Sequence, residues 1–173
     1  MTARPLSMPE LTFRNLGNSD FEDLHAIVSD WSVVRQLGGW PWPANPDFTQ
    51  SRCRPYSDDG FVWAICRNDQ LIGTIGVTGG DLGYMLHPAQ QGKGIISQAT
   101  IIAINHAFDT TDRDHLTGST WHDNTGSYRV LQKLGFAHWQ TRYRHAKARN
   151  RPTVVHHHRL TRTTWDRLRT RAQ

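Results

Sequence analysis

Residues 81–95, Asp81-Leu82-Gly83-Tyr84-Met85-Leu86-His87-Pro88-Ala89-Gln90-Gln91-Gly92-Lys93-Gly94-Ile95, decide how this chain is read. The first seven predict a short strand that Pro88 ends, since proline has no N–H to give a ladder. From Ile95 to Phe108 the chain is apolar on nearly every side, which predicts a helix buried against a sheet. Between them stands Gly92-Lys93-Gly94. Glycines at a helix entry let backbone approach a ligand closely, and the first free N–H groups, reinforced by the helix dipole, form an anion site suited to phosphate. Two common phosphate loops do not fit. A Walker loop needs Ser or Thr after its lysine, where Gly94 stands, and a dinucleotide fingerprint needs a third glycine, where Ser97 stands.

Outward from this segment the chain alternates strands and helices. Phe61–Arg67 and Leu71–Val77 are rich in aliphatic, β-branched and aromatic residues, and Asn68-Asp69-Gln70 between them marks a hairpin. Thr78-Gly79-Gly80 is a second turn, leading into the 81–87 strand. Upstream, Ser19 and Glu22 have capping-box spacing ahead of Phe21, Leu24, Ile27 and Val28, one face of a helix. A second short helix is expected over Ser32–Leu37, stopped by Gly38-Gly39, and Trp40-Pro41-Trp42-Pro43 is expected to be an ordered, extended loop. Downstream, a strand is expected at 115–121 and a helix at 124–134 stopped by Gly135. Two last strands follow at 136–144 and 153–160, joined by a basic loop ending at Pro152. With no internal repeat or low-complexity linker, the expectation is a single α/β domain over 1–173, its core about 11–160, with a basic tail at 161–173.

Composition narrows the class. In 173 residues, 37% hydrophobic with seven tryptophans and six phenylalanines, there is enough apolar material for a core. No apolar run approaches a membrane span, and the first ten residues lack the apolar stretch of an export signal, so the chain reads as soluble and cytoplasmic. Cys53 and Cys66 have neither disulfide-framework nor CxxC spacing and are expected to be buried thiols. The net charge of +5 is uneven: residues 1–140 hold 10 Lys and Arg against 14 Asp and Glu, whereas 141–173 hold 10 against Asp166 alone. A basic end of this kind is either a solvated tail or a contact for an acidic partner such as RNA or a ribosomal surface.

A second motif, Asn124-Thr125-Gly126-Ser127-Tyr128-Arg129-Val130-Leu131-Gln132-Lys133-Leu134-Gly135-Phe136, follows Gly92 by 32 residues. With LGYMLHPAQQGKGI and the early LGGWPWP, it resembles the GNAT superfamily of N-acetyltransferases, most closely the RimJ/RimL-like branch that acetylates protein N-termini. The resemblance extends over roughly residues 11–168. It implies a GNAT fold, in which a mixed, partly splayed sheet of about seven strands carries helices on both faces. It also implies acetyl-CoA as co-substrate, no metal, a monomer or homodimer, and a primary amine as acceptor, most plausibly a protein or peptide α-amine. By position, Gln91, Gly92, Lys93, Gly94 and Ile95 would cradle the pyrophosphate. Met85, Leu86 and His87 would pair with the pantetheine arm like an added strand, and Asn124 would hydrogen-bond the arm or its neighbouring loop. Ala89 replaces a common Gln or Arg, at little cost where backbone makes the contacts.

The catalytic positions depart further from the family pattern. Many members have a tyrosine acid seven residues after the motif asparagine, where this chain has Leu131. The RimJ/RimL-like pattern has a serine three residues after it, here Ser127, able to hydrogen-bond the leaving thiolate or simply to satisfy its own helix terminus. The family glutamate that opens the strand is Asp81 here, which reads as a base acting through water or as a turn residue. His122 is its rival, and bulk water the third choice. Trp40 and Trp42 stand where the family lines its acceptor cleft, or else belong to a packed structural loop. In a strand, His156 and His158 share a face and would bind a metal only with further ligands. The missing tyrosine and glutamate keep a second reading open, a CoA-binding GNAT-shaped protein without catalysis that uses its basic end on RNA or a ribosome.

Overall fold

β1 (Leu11–Asn15), β2 (Gly60–Arg67), β3 (Gln70–Thr78) and β4 (Asp81–Leu86) form an antiparallel meander. β5 (His115–Trp121) lies parallel to β4, and β6 (Ala137–Ala146) and β7 (Arg151–Thr161) form a hairpin whose β7 edge pairs antiparallel with β5. The sheet order is β1-β2-β3-β4-β5-β7-β6, a seven-stranded mixed sheet as expected. This computed structural model describes residues 11–171. Residues 1–10, the stretch read above for an export signal, and 172–173 lie outside the described residues.

Helices cover both faces. α1 (Phe21–Val28), α2 (Trp31–Val34) and α3 (Pro46–Arg52) lie on one, where Leu24, Ile27, Val28, Val33 and the following Cys53 pack on Ala64, Cys66, Leu71 and Met85. On the other lie α4 (Ile95–Thr110), α5 (Thr125–Lys133) and α6 (Arg162–Arg171), packed on Ile65, Ile75, Leu82, Leu116 and Leu160. Both cysteines are free and buried, and burial pushes both thiols up.

Several local expectations are corrected. β1 and α3 went unread: β1 alternates Leu11-Thr12-Phe13-Arg14 but is only five residues long, and α3 opens on Pro46 behind an Asn45 cap inside a proline-rich stretch. The α1 entry is not a Ser19–Glu22 box. Instead the Asp20 carboxylate accepts from the Gly17 N–H at 2.8 Å and from Arg14 at 2.6 and 2.8 Å. Pro152 lies within β7, after a turn that Asn150 passes at φ 49°. α4 buries Ile95, Ala99, Ala103, Ile104 and Phe108, but Ile101 and Ile102 remain exposed. Residues 162–171, read as tail, are helical. Trp165 is buried and donates to Asn105 at 2.9 Å, and the Arg162 guanidinium donates to the carbonyls of Phe108, Thr111 and Arg113 at 2.6–2.9 Å.

His156 and His158 do share a face, with the His138 and His158 rings 5.9 Å apart. Among the described residues no cluster of His, Cys, Asp or Glu is placed to hold a metal ion. His158 is 1% exposed and neither ring nitrogen completes a hydrogen bond, although the Gly118 backbone approaches it. Burial lowers its pKa, with the neighbouring histidines adding to the effect. A histidine held neutral by the fold gives stability that is complete above its ordinary pKa near 6.5 and lost as pH falls below it. Melting temperature is therefore expected to fall between pH 7 and 5, and less steeply in His158→Phe. Parallel curves for the two proteins would refute the assignment.

Candidate active site

β4 and β5 are joined only through the pairs Asp81↔Thr117 and Leu82↔Gly118, and beyond these the strands part. The Gly83–Leu86 edge that faces the gap therefore has no ladder partner, leaving backbone N–H and C=O groups to be satisfied from elsewhere. A cleft of about 1100 Å³ opens there. Its walls are β4, the first turns of α4 and α5, the Leu37–Trp40 segment and the Arg54–Asp58 segment.

At the top of the gap the chain turns through Pro88–Gln90. His87 Nδ1 accepts from the Ala89 N–H at 3.2 Å, Gln91 donates to the Leu86 carbonyl at 3.2 Å, and Arg67 holds Gln90 at 2.9 Å. The His87 N–H itself is committed to Ile72 of β3 at 2.8 Å. Gly92 and Gly94 have φ of 73° and 75°, the left-handed region that side chains disfavour. A Cβ on either would meet nothing within 4 Å, so it is the backbone conformation that asks for glycine. α4 then begins with neither a side-chain cap nor an acidic residue in its first turn. Its initial N–H groups lack intrahelical acceptors, and its positive dipole end faces the cleft mouth. This terminus fits a phosphate group. Gln91, Gly92, Gly94 and Ile95 line the cleft, as do Met85 and Leu86 lower down, whereas Lys93 is exposed outside the lining and His87 stands behind it.

α5 supplies the facing wall. Asn124 caps it, its Oδ1 accepting from the Ser127 N–H at 3.2 Å. The Ser127 side chain lines the cleft. Opposite is a residue that sequence reasoning missed, Tyr84 of β4. Its hydroxyl is buried without a completed hydrogen bond, and the Ser127 hydroxyl approaches it. Burial raises the Tyr84 pKa, with Ser127 opposing weakly, so the phenol keeps its proton at neutral pH. An unpaired buried hydroxyl costs about 1–3 kcal/mol, so packing alone would favour phenylalanine here. Leu131, at the family's tyrosine position, is core: it is 2% exposed and lies over Gly118, where an added Cβ would stand 3.2 Å from it.

The base candidates separate. The Asp81 carboxylate is at the foot of the cleft and accepts from Thr117 Oγ1 at 2.7 Å. His122 is exposed and outside the lining. His157, on the face opposite His156 and His158, pairs across β7–β5 with the cleft residue Ser119; burial lowers its pKa, with the Asp81 charge opposing.

The two tryptophans separate as well. Trp40 lines the cleft and packs edge-on against Phe48, ring centroids 5.3 Å apart. Trp42 is 42% exposed, packs on Trp31 at 5.1 Å and does not line the cleft, which corrects its placement. Arg149 ties this wall together. Its guanidinium, 4% exposed, holds Asp123 at 2.8 and 3.0 Å, Gln36 at 3.0 Å and the Arg35 carbonyl at 2.8 Å, and it holds the Asp123 carboxyl below the usual range.

Comparison with known proteins agrees with this architecture. Residues 10–137 match the family described as acetyltransferase (GNAT) domain. The chain is 28% identical over 141 residues to the uncharacterized N-acetyltransferase YjdG of Bacillus subtilis, covering 69% of this chain and 84% of that one. Among solved structures, RimL, a ribosomal L7/L12 alpha-N-protein acetyltransferase in complex with coenzyme A, superposes with a TM-score of 0.75 at 18% identity, covering 92% of this chain and 98% of that one. Spermidine N-acetyltransferase from Vibrio cholerae, in complex with CoA and spermine, also superposes with a TM-score of 0.75, at 14% identity, covering 90% and 97%. With a family match across most of its length and the splayed sheet that match implies, this chain belongs to the GNAT acetyltransferases.

Proposed function

We propose that the protein is an acetyl-CoA-dependent N-acetyltransferase acting on the α-amine of a protein or peptide. The observation that carries this reading is one continuous cleft, running from the uncapped α4 terminus along the unpaired β4 edge to Ser127. The donor supplies an activated acyl group and a thiolate that leaves at a pKa near that of cysteine, about 8.5, so a weak proton donor suffices. Gln91, Gly92, Gly94 and Ile95 hold the anionic end through backbone N–H groups, and Lys93 adds charge from outside the cleft. Met85 and Leu86 belong to the free edge that receives the extended arm, and Asn124 shapes the opposite wall by fixing the start of α5. A backbone N–H of that edge polarises the carbonyl under attack. Ser127 donates to the departing sulfur, and the protonated Tyr84 phenol donates to Ser127 Oγ, directing the serine proton at the thiolate.

The acceptor assignment rests on protonation. At pH 7 an α-amine with a pKa near 8 is about 10% neutral, whereas a lysine near 10.4 is below about 0.1% neutral. Asp81, exposed and bound to Thr117, can take a proton only through water and cannot strip a lysine efficiently. The likeness to both RimL and the spermidine enzyme is one of fold, so chemistry has to rank the acceptors. Within this reading the protein works in the cytoplasm, where acetyl-CoA and new N-termini meet.

Three measurements test it. Thiol release from acetyl-CoA should be faster with a peptide carrying a free α-amine than with the same peptide blocked there and carrying one free lysine, and the reverse order would refute the acceptor assignment. CoA should raise the melting temperature of the wild type but not of Gly92→Asp, whose carboxylate and bulk sit beside the pyrophosphate; equal shifts would remove the donor site from α4. Ser127→Ala should lower kcat by roughly 10–10³-fold with CoA affinity nearly unchanged. Tyr84→Phe should lower it about fivefold, the worth of one neutral hydrogen bond, and by much less in the Ser127→Ala background. Additive losses would separate the two hydroxyls.

A further inference from the structure

α1, α2 and α3 lie over β2 and β3 of their face of the sheet, and the segment after α2 with Arg149 covers Trp121, Val155 and Ala146, leaving Ser119, His157, Gln140, Arg142 and Arg144 as the open part of that face on β5-β7-β6. Register sets out what this open face presents. Ser119, which lines the cleft, is opposite His157, and His157 is opposite Gln140. Trp121 leads in the same way through Val155 to Arg142, and Thr153 is opposite Arg144. Arg144 also lines the cleft, so the open face and the reaction cleft are one surface. Four strand positions, roughly 13 Å, and two strand spacings, roughly 10 Å, separate Ser119 from Arg144, about 16 Å in all.

Charge along this path is ordered. The carboxylates are few: Asp81 lies at the inner end bound to Thr117, Asp123 is consumed by Arg149, and Asp58 stands on the Arg54–Asp58 wall. The outer end is cationic. Arg142 and Arg144 come from β6, and across the mouth Arg52 and Lys147 stack on the Phe48 ring from 4.7 and 4.6 Å. Among the described residues none of these four has a carboxylate within ion-pair distance. Uncompensated cations at a cleft mouth raise the local concentration of anions and repel polyamines.

We propose that the acceptor is an acidic peptide, extended along the cleft from Ser119 to its cationic rim, its α-amine near Ser119 and its acidic side chains, three to five residues along, against Arg144, Arg142, Arg52 and Lys147. The inference rests on the α-amine reading above and narrows it. A free amino acid is too short to touch both ends of a path of about 16 Å, and spermidine carries the wrong charge throughout.

The test uses thiol release from acetyl-CoA with the full chain and hexapeptides that share a first residue and carry either glutamates or lysines at the next-to-central positions, alongside a neutral peptide, spermidine and a free amino acid. The acidic peptide is expected to have a KM about tenfold below that of the basic one, an advantage that shrinks in added salt. Arg144→Glu and, independently, Lys147→Glu should raise the KM for the acidic peptide and lower it for the basic one, while the KM for acetyl-CoA stays constant. Measuring the effect in two exposed positions guards against a variant that folds poorly, since a folding defect would not reverse the order of the peptides. Turnover of all peptides with equal KM, or a preference for spermidine or the free amino acid, overturns the acidic-peptide inference. Equal turnover of peptides leaves the α-amine reading standing, whereas retained CoA binding without turnover of any peptide overturns both.

Discussion

Everything that makes this sheet useful follows from the parting of two parallel strands. β4 and β5 share two residue pairs and then diverge, so a row of main-chain groups in the middle of a seven-stranded sheet is left without partners. Ordinary folding would close such a gap, because each unsatisfied buried group carries a penalty of about 1–3 kcal/mol. Here the divergence is held open from both ends. Above, the Pro88–Gln90 turn and the two left-handed glycines start α4 at the mouth of the gap, and Asn124 starts α5 on the other side. Below, Leu82 and Leu116 are sealed into the core. A ligand that presents alternating donors and acceptors along its length completes the sheet.

The cleft has two chemically different halves. The donor half is almost all main chain and helix terminus, with Lys93 outside it, which suits a ligand whose recognition must be the same in every turnover. The acceptor half is side chain: Trp40 and Phe48 on one wall, arginines from α3 and β6 on the rims, Asp81 at the foot. Arg149 connects these walls by binding the end of α2, Gln36 and Asp123 at once, so the mouth is set by one buried guanidinium rather than by loop packing. Breaking such a buried pair from one side leaves a charge unpaired, which makes the mouth rigid.

Much of this was legible in the chain itself. The 81–95 segment announced strand, turn and helix terminus because proline and glycine act locally, and the 115–121 strand has the bounds read from the sequence. What the sequence withheld were matters of tertiary geometry. Tyr84 looked like one more strand residue, and nothing in its neighbourhood says that its hydroxyl meets a serine forty-three positions later without a bond of its own. His122 and Asp81 were equal on chemistry, and only the fold puts one in the cleft and the other outside. Trp42 shared a motif with Trp40 and faces elsewhere, because alternating prolines fix the loop's path and not its contacts. β1 escaped because its Leu11–Phe13 alternation lasts only five residues, too short to mark a strand by itself.

Arg162 gives the end of the chain a purpose that its composition conceals. Its guanidinium holds the carbonyls of Phe108, Thr111 and Arg113 and lies over the Phe108 ring, at the C-terminal end of the helix whose uncapped N-terminal end lines the cleft. α4 is thus balanced like a bar magnet with a keeper on one pole: the protein supplies the positive counterpart at the far end and leaves the near end for the ligand. The ten residues of α6 are thereby tied to the far end of α4, sixteen residues of helix from the terminus at the cleft mouth. A chain trimmed at residue 161 as though the remainder were ornament would lose that counterweight, and the trimming would be felt at Gly94.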